Sequence, residues 1–304
     1  MTADIGSVLG AAAQRLASAK VESARHDAEA LLAFVLAQPR SILHRHPPLD
    51  ADQRAAFDAV VARRERREPL QHIVGTAAFR HLELEVGPGV FVPRPETEVL
   101  AGAAVAELQR LQAAGVEAPR AVDLCTGCGA VALALATEVS GSVVTAVELS
   151  PDAVRYAWRN AAATGVDVRQ GDIADAVDDL AGTVHVVTAN PPYIPLAAFE
   201  SVDVEARDFD PAPALWSGDD GLDMIRVVSE VAARLLVDGG FVACEHADVQ
   251  GSSAPEIFAA SGLWSEARDH TDLAGRPRYV VARRMRRDLH GAAHSSGSAG
   301  TIAP

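Results

Sequence analysis

Asn190, Pro191, Pro192 and Tyr193 follow one another directly after the β-branched stretch 184–189. Two consecutive prolines fix the backbone and remove its donors, so the carbonyl oxygens there can point outward as acceptors. The Asn190 side-chain oxygen and the Pro191 carbonyl can accept both hydrogens of a planar NH2 group, with Tyr193 lying against its plane. Such a clamp orients a poorly nucleophilic nitrogen toward an electrophile. We interpret the four residues as catalytic in methyl transfer to a planar nitrogen. The alternative is a proline-stiffened strand exit that binds no ligand.

A glycine-containing turn upstream has the features of a nucleotide-binding loop. Glycines between a predicted strand and a predicted helix let the backbone approach a ligand and expose amide donors at the helix start. Glu148 ends the next predicted strand, 21 residues after Gly127, which is the spacing expected of an acid that accepts ribose hydroxyls. The pattern suits enzymes that use NAD as well as enzymes that use S-adenosylmethionine (SAM). The candidate cofactor residues of this loop are Asp123, Cys125, Thr126, Gly127, Cys128 and Gly129.

Cys125 and Cys128 in this loop also form a Cys-x-x-Cys pair, which raises a metal or redox alternative. Zinc requires two further ligands, and the third cysteine, Cys244, is distant in the sequence. A redox dithiol is physically possible at a helix start, where the helix dipole lowers the thiol pKa. A dithiol site has no need of the glycines, Asp123 or Glu148. We therefore favour a nucleotide loop whose cysteines are small apolar fillers, and we predict no metal site.

The composition limits the class of protein. The chain has 304 residues, of which 49% are hydrophobic, enough for two domains with a substantial core. It contains neither the roughly 18–20 consecutive apolar residues of a membrane span nor a secretory signal pattern at its start. The net charge of −14 argues against binding nucleic acid through its phosphates, and three cysteines cannot build a disulfide framework. We therefore expect a cytoplasmic protein with neither a nucleic-acid nor a membrane partner.

Beyond residue 96, apolar runs alternate with helical patterns. Strands are predicted at residues 121–124, 143–147, 184–189, 241–244, 264–269 and 278–282, and helices at residues 130–137, 151–163 and 222–237. This alternation predicts an α/β fold with a doubly wound, mostly parallel sheet that binds ligands at the carboxyl ends of its strands. After residue 283 the chain becomes basic and then rich in glycine, serine and alanine, which is typical of a disordered tail.

The first 68 residues have a helical pattern, which includes a predicted helix at residues 50–67. Four arginines lie at the end of that helix. We interpret them as a solvated helix end that interacts favourably with the dipole, with a partner-docking patch as the alternative. Short strands are predicted at residues 72–79 and 82–86, which together suggest a hairpin-like connector. The four arginines are Arg63, Arg64, Arg66 and Arg67.

Further stretches narrow the chemistry of the clamp. The clamp continues as Asn-Pro-Pro-Tyr-Ile-Pro at 190–195, and Arg-Glu-Pro-Leu-Gln-His-Ile-Val-Gly at 67–75 leads to Phe-Val-Pro-Arg-Pro-Glu-Thr-Glu at 91–98. Pro-Ala-Pro-Ala-Leu at 211–215 precedes Gly-Asp-Asp-Gly-Leu-Asp at 218–223. Together these stretches resemble the HemK/PrmC-like release-factor glutamine N5-methyltransferases over about residues 5–282. The Arg-Pro-Glu-Thr-Glu segment is the most specific of them.

The resemblance implies a Rossmann-like class I methyltransferase domain with a seven-stranded sheet, preceded by a helical domain and a β-hairpin linker. The implied ranges are 1–70 for the helical substrate-recognition domain, 71–95 for the linker, 96–283 for the methyltransferase domain and 284–304 for the tail. The implied cofactor is SAM. The implied substrate and partner is a class-I peptide chain release factor, methylated on the glutamine of its Gly-Gly-Gln motif. We expect the enzyme to act as a monomer.

The resemblance also assigns roles to single residues. Asn190 and Pro191 would hold the glutamine amide, and Tyr193 would pack on it; Asn190 is counted with the cofactor residues as well. Gly127 and Gly129 would approach the cofactor, and Glu148 would take its ribose. Asp172 and Ile173 lie where its adenine would be contacted. The first glycine of the usual Asp-x-Gly-x-Gly-x-Gly pattern is Cys125 here, so we expect a slightly altered backbone approach.

Some polar residues keep two interpretations. Arg94, Glu96 and Thr97 are interpreted as shaping the methionine end of the cofactor pocket, with fixing the linker to the catalytic domain as the alternative. A group of acids after the clamp is predicted to form a solvated loop over the site and not a metal cluster. Those acids are Asp203, Glu205, Asp208 and Asp210.

Two other functions compete with the preferred one. A DNA or RNA amino-methyltransferase would present adenine N6 to the same clamp, but the acidic balance and the lack of a large basic recognition domain disfavour it. A non-catalytic binding module is disfavoured because the clamp, the loop and Glu148 are all intact.

Overall fold

The first helices of the chain form a small bundle. The computed structural model describes residues 4–286. The bundle consists of α1 (Ile5–Ser18), α2 (Ala24–Leu36), α3 (Ala51–Glu65) and α4 (Leu70–Val74), with a 3₁₀ turn at Arg40–Arg45. The side chains of Asp4 and Asp50 cap α1 and α3 by accepting backbone hydrogen bonds. The bundle has a core of its own, which includes Leu16, Leu31, Leu32 and Phe57.

A β-hairpin joins the bundle to the rest of the chain. Its strands are β1 (Thr76–Phe79) and β2 (Leu82–Glu85), which pair antiparallel. The predicted strand at 72–79 is wrong for its first four residues. Residues 72–74 belong to α4, and Gly75 ends that helix with φ +83°. The helix forms because it places Ile73 in the core of the bundle, a tertiary contact that overrides the local strand pattern.

The remaining strands form one seven-stranded sheet in the order β5-β4-β3-β6-β7-β9-β8. β3 to β7 run parallel, and β9 and β8 add an antiparallel edge. The predicted mostly parallel sheet is confirmed. The strands are β3 (Arg120–Leu124), β4 (Val143–Glu148), β5 (Asp167–Gln170), β6 (Val184–Ala189), β7 (Leu236–Glu245), β8 (Trp264–Thr271) and β9 (Pro277–Arg284).

Helices cover both faces of this sheet. One buried cluster contains residues of the hairpin and of α5 (Thr97–Ala113), α6 (Ala130–Glu138) and α7 (Pro151–Ala161). A second contains residues of α9 (Asp223–Leu235) and α10 (Ser253–Ala260). The short α8 (Val204–Phe209) lies in the segment between β6 and α9. The strand order reverses between β3 and β6, so the crevice expected for a ligand lies beyond the ends of these two strands.

The carboxyl-terminal end of the sheet differs slightly from the prediction. β9 continues through Arg284, the first residue of the predicted tail, so the prediction is wrong at that residue. The predicted tail from residue 287 onward lies outside the described residues. The domain boundaries at 70 and 95 stay predictions. No helix within residues 4–286 has the length and apolar character needed to cross a membrane.

Four arginines lie at the end of α3 and just after it, and the interpretation of a solvated helix end is wrong for two of them, Arg64 and Arg67. The Arg64 side chain is only 6% exposed; it donates to Asp27 of α2 at 2.8 Å and to Glu205 of α8 at 2.8 Å. Arg67 donates to the same Glu205 oxygen at 2.9 Å. These contacts tie the bundle to the segment that follows the clamp, which is too far along the chain for a local pattern to indicate.

Candidate active site

The loop between β3 and α6 has the tight geometry that its glycines predicted. Gly127 and Gly129 have φ values of +60° and +92°, in the left-handed region that favours glycine. A Cβ on Gly127 would meet no heavy atom within 4 Å, so one side of the backbone there is open to a ligand. Cys125 takes the same conformation, with φ +59°, although it carries a side chain. Cys128 is buried in the core cluster below α6.

Asp123 organises the loop from below. Its carboxylate, 2% exposed, accepts hydrogen bonds from Thr126 Oγ1 at 2.6 Å and Thr188 Oγ1 at 2.7 Å. Burial raises the pKa of Asp123 to about 6, and the two hydroxyl donors partly offset that effect. Both carboxylate oxygens bond within the protein. The structure therefore gives Asp123 an internal position that connects the loop to β6 through Thr188, a residue outside the predicted site.

Glu148 lies beside the loop, where its carboxylate could accept hydrogen bonds from the hydroxyls of a nucleoside. Its Oε2 accepts from the backbone N–H of Gly127 at 2.8 Å, and its Oε1 accepts from that of Ser150 at 2.8 Å. Burial raises its pKa, while these backbone donors act in the opposite direction. A carboxylate accepts about two hydrogen bonds per oxygen, so each oxygen retains a lone pair for a hydroxyl. The loop and Glu148 thus fit a ribose in chemistry as well as in position.

Asp172 and Ile173 lie beside this acid, after β5. The backbone N–H of Gly171 donates to the Glu148 carbonyl at 2.9 Å, which brings the following residues to the edge of the loop. Ile173 is buried in the second core cluster, and Asp172 is exposed. The Asp172 carboxylate is close enough to Cys125 to help raise the pKa of that thiol, although burial is the main cause. An apolar side chain and an exposed acid together suit the ring and the amino group of an adenine.

The clamp begins directly beside the loop, because Leu124 and Ala189 are paired neighbours on β3 and β6. Asn190 and Cys125, the residues that follow these two, therefore leave the sheet side by side. The Asn190 Nδ2 donates to Thr97 Oγ1 at 3.1 Å. Pro191 is buried, while Pro192 is partly exposed.

Tyr193 is held by two residues that lie outside the predicted clamp. Its hydroxyl donates to Glu245 Oε1 at 3.1 Å, and its carbonyl accepts from Gln250 Nε2 at 3.0 Å. Burial raises the pKa of Glu245 to about 7, and it also raises the pKa of the Tyr193 phenol well above its usual range. One feature of the sequence does indicate a role for Glu245 at the site: it is an acid at the end of an otherwise apolar strand.

The acids after the clamp are less solvated than predicted. Asp210 is buried and accepts from Arg94 Nη2 at 2.7 Å, while burial still raises its pKa to about 6. Glu205 is paired with Arg64 and Arg67. The prediction of a solvated loop is therefore wrong for these two acids, whose partners come from distant parts of the chain. Within the described part of the chain, no group of three or more histidines, cysteines, aspartates or glutamates could hold a metal ion.

Residues 94–97, which lead into the first turn of α5, contact the clamp side of the site. Arg94 donates to Asp210, in the segment that follows the clamp, and Thr97 accepts a hydrogen bond from Asn190. Glu96 is exposed and helps to raise the pKa of Glu245. These contacts place the segment beside the clamp; its role at the methionine end of the cofactor pocket stays a prediction.

Comparison with known proteins identifies relatives of nearly full length. The family model of the PrmC N-terminal domain matches residues 7–75, and that of the methyltransferase small domain matches residues 83–205. A release factor glutamine methyltransferase of Streptomyces coelicolor is 55% identical over 90% of this chain and 95% of its own. One of Mycolicibacterium smegmatis is 48% identical over 91% of this chain and 96% of its own.

Another relative carries a different name. The 4-amino-L-phenylalanine/4-methylamino-L-phenylalanine methyltransferase of Streptomyces pristinaespiralis is 47% identical over 68% of this chain and 70% of its own.

Proposed function

This chain belongs to the release factor glutamine methyltransferase family, and on that premise we propose which methyl group it moves, and to which atom. The proposed reaction transfers the methyl group of SAM to the side-chain amide nitrogen, N5, of a glutamine. That glutamine is the one in the Gly-Gly-Gln motif of class-I peptide chain release factors. The modification would modulate translation termination.

One observation carries this proposal: the pairing of Leu124 with Ala189 on neighbouring strands. It starts the nucleotide loop and the Asn190 clamp from adjacent points at the carboxyl edge of the sheet. Methyl transfer requires the donor and the acceptor nitrogen in contact and in line, so two binding motifs side by side suit it directly. Neither a loop nor a clamp alone distinguishes this chemistry from simple binding.

The residues of the clamp would act by holding and orienting the amide. The Asn190 Oδ1 and the Pro191 carbonyl would each accept one N–H of the substrate, and Tyr193 would pack on its plane. SAM, held by the loop and Glu148, supplies an electrophilic methyl group on a positively charged sulfur. No strong general base is needed, because a protonated N-methyl amide is acidic enough to lose its proton to water or to a backbone oxygen.

The same proposal covers the partner and the setting. We take the release factor to be the protein partner of a monomeric cytoplasmic enzyme that contacts no nucleic acid directly. A net charge of −14 supports a protein amide over a nucleobase in the clamp, since nucleic-acid binding depends on cationic contacts to phosphates. The match to the PrmC N-terminal domain and the 95% coverage of the S. coelicolor relative support a release factor over a free aryl amine.

The test is a transfer assay with SAM labelled in its methyl group. We expect label in a purified class-I release factor and none in the same factor with its Gly-Gly-Gln glutamine changed to alanine. Separate reactions contain total RNA, DNA and 4-amino-L-phenylalanine. Label in nucleic acid would support the adenine N6 alternative, and label in the free amino acid at a comparable rate would favour a small-molecule substrate. Label that survives the glutamine-to-alanine change would refute the proposed acceptor atom.

A further inference from the structure

Two buried polar side chains, Thr97 and Glu245, lie behind the clamp. We propose that they are positioning residues, which fix the orientation of the Asn190 amide and of the Tyr193 ring for methyl transfer. The inference rests on the proposed function, because it concerns the same clamp. Neither residue belongs to the motif itself, and each comes from a different element of the fold.

Thr97 determines which way the Asn190 amide faces. The Asn190 Nδ2 donates to Thr97 Oγ1 at 3.1 Å, so the amide nitrogen is turned toward α5. Its oxygen consequently faces away from Thr97. The orientation matters because only the oxygen can accept an N–H bond of the substrate, whereas the reversed amide would present a second donor to it.

Glu245 performs the corresponding task for the aromatic ring. The Tyr193 hydroxyl donates to Glu245 Oε1 at 3.1 Å, and Glu245 itself is 1% exposed at the end of β7. A hydrogen bond to a side chain on a rigid strand restricts the ring about its axis and along its length. The Tyr193 backbone is restrained separately, through its carbonyl and Gln250. Ring and backbone are therefore fixed from two elements.

The two positioning residues also act on each other. Thr97 is 4% exposed, and its oxygen already accepts from Asn190, so its hydroxyl hydrogen requires a buried acceptor. The hydroxyl lies near enough to the Glu245 carboxyl to lower the pKa of that group. Glu245 Oε2 is buried, with no hydrogen bond of standard length to any described residue, so it is the acceptor available to Thr97. An acceptor there keeps Thr97 as the acceptor of the Asn190 amide hydrogen.

The network therefore joins the start of α5, the end of β6 and the end of β7 behind one ligand-holding motif. A Thr97 that served only to pack the start of α5 would be replaceable by an isosteric valine without effect on catalysis. A Thr97 that positions Asn190 would not be, because valine has no oxygen to accept the amide hydrogen. The hydroxyl is thus the group to test.

The experiment compares Thr97→Val with Thr97→Ser in the full-length enzyme, with a class-I release factor as substrate. We expect Thr97→Val to lower kcat about 10- to 100-fold, the range that slight misplacement of a reacting group produces. The Kd for SAM, measured by calorimetry, should stay within about twofold, because in this proposal the Thr97–Asn190 hydrogen bond orients the acceptor amide and not the cofactor. Thr97→Ser retains the hydroxyl, so its kcat should lie within about threefold of the wild-type value.

A double-mutant cycle with Asn190→Ala separates positioning from packing. If Thr97 acts through Asn190, Thr97→Val should cost little further in kcat once Asn190→Ala is present. Full additivity of the two losses would overturn the proposal, and so would a Thr97→Val enzyme with wild-type kcat. If the wild-type enzyme leaves the release factor unlabelled, the proposed function itself has failed, and that result is distinct from either of these.

Glu245→Gln provides an independent variant, should Thr97→Val not fold. Its amide oxygen can still accept from Tyr193, but its NH2 group donates to the Thr97 side, where the ionised carboxylate of Glu245 only accepts. We expect kcat to fall at least about fivefold with the Kd for SAM unchanged, the loss of roughly one buried hydrogen bond. A Glu245→Gln enzyme with the kcat of the wild type would contradict the role assigned to this acid.

Discussion

Cys125 is a side-chain-bearing residue in a conformation that favours glycine, and its φ of +59° equals that of the neighbouring Gly127 within a degree. A left-handed conformation costs an ordinary residue roughly 1–2 kcal/mol. The loop therefore has the shape of a glycine loop despite the substitution, which the sequence analysis expected to alter the backbone slightly. The strain is local, and the surrounding contacts of Thr126 and Gly129 hold the turn: Thr126 donates to Val147 at 2.9 Å.

The protonation of the two loop thiols bears on the redox alternative. Burial raises the pKa of Cys128 to about 12, and it raises that of Cys125 further, with Glu148 and Asp123 acting in the same direction. A raised thiol pKa means that the neutral form predominates throughout the physiological range, whereas dithiol chemistry requires the thiolate. The described cysteines are free. These properties favour the filler interpretation of both side chains.

We expect Cys125→Gly to retain methyl transfer within about threefold and to change the free energy of unfolding by less than about 1 kcal/mol. Relief of the left-handed strain and the greater entropy of glycine in the unfolded chain act in opposite directions. Cys125→Val, with a branched side chain at the same φ, should weaken SAM binding and lower stability by at least about 1 kcal/mol. Calorimetric titration and urea unfolding measure the two effects. An inactive glycine variant would show that the thiol itself is required.

At the scale of elements, the segment between β6 and α9 folds back on the clamp. Ile194 forms an isolated bridge with Trp216, and Gly221 follows with φ +75°. A Cβ on Gly221 would collide with the Tyr193 carbonyl and would lie 2.8 Å from Gln250 Nε2. Among the glycines between β6 and α9, Gly221 is thus the one that lies closest to the clamp backbone.

Gly221→Ala should lower the stability by about 3 kcal/mol or more and reduce kcat about tenfold, because the clash displaces the Tyr193 backbone. Gly115→Ala is the matched control. Gly115 also has a positive φ, +93°, but a Cβ there would meet nothing within 4 Å. Gly115→Ala should lower the free energy of unfolding by the backbone strain alone, about 1 kcal/mol, and leave kcat unchanged. Equal effects of the two variants on kcat would show that the returning segment does not constrain the clamp.

Sequence patterns predicted those elements whose cause is local. The β-branched run of β6 and its Asn-Pro-Pro exit were found with their bounds, Val184–Ala189, because alternation with helices and a following proline pair are visible within a few residues. The β3–α6 loop was found for the same reason, since its glycines and Glu148 have a characteristic spacing. Local sequence patterns were therefore enough to predict the parts of the site that would contact a ligand.

The parts that the sequence did not predict depend on contacts between distant residues. Thr97 and Asn190 are 93 positions apart, and Tyr193 and Glu245 are 52 positions apart, so no window of the chain contains either pair. The predicted strand failed over residues 72–74, at the end of α4, for a similar reason, because Ile73 is buried in the core of the helical bundle. Only the folded sheet, which sets β6 beside β7, brings such partners together.

At the scale of the whole molecule, Arg64 links the helical bundle to the catalytic part. It donates to Asp27 at 2.8 Å, to the Glu68 carbonyl at 3.0 Å and to Glu205 at 2.8 Å, so its guanidinium joins α2, the connection between α3 and α4, and α8. Asp27 is 2% exposed; its Oδ2 accepts from Arg64, while its Oδ1 accepts from the Ser23 hydroxyl and lies 3.3 Å from His26 Nδ1. An ion pair buried to this extent is costly to break, because the remaining partner keeps an uncompensated charge.

Arg64→Ala should therefore lower the free energy of unfolding by about 3–5 kcal/mol at pH 7. It should also raise the KM for a release factor while leaving the Kd for SAM unchanged, because the lost contact separates the bundle from the post-clamp segment and not from the nucleotide loop. Arg226→Ala is the control, since Arg226 pairs with Asp220 at 2.6 Å with both side chains nearly half exposed. That pair should contribute less than about 1 kcal/mol and leave KM unchanged. Urea unfolding of both variants measures the stability, and steady-state kinetics measures KM. If Arg64→Ala destabilises the protein without changing KM, the ion pair stabilises the fold but does not determine how the bundle presents a protein substrate to the clamp.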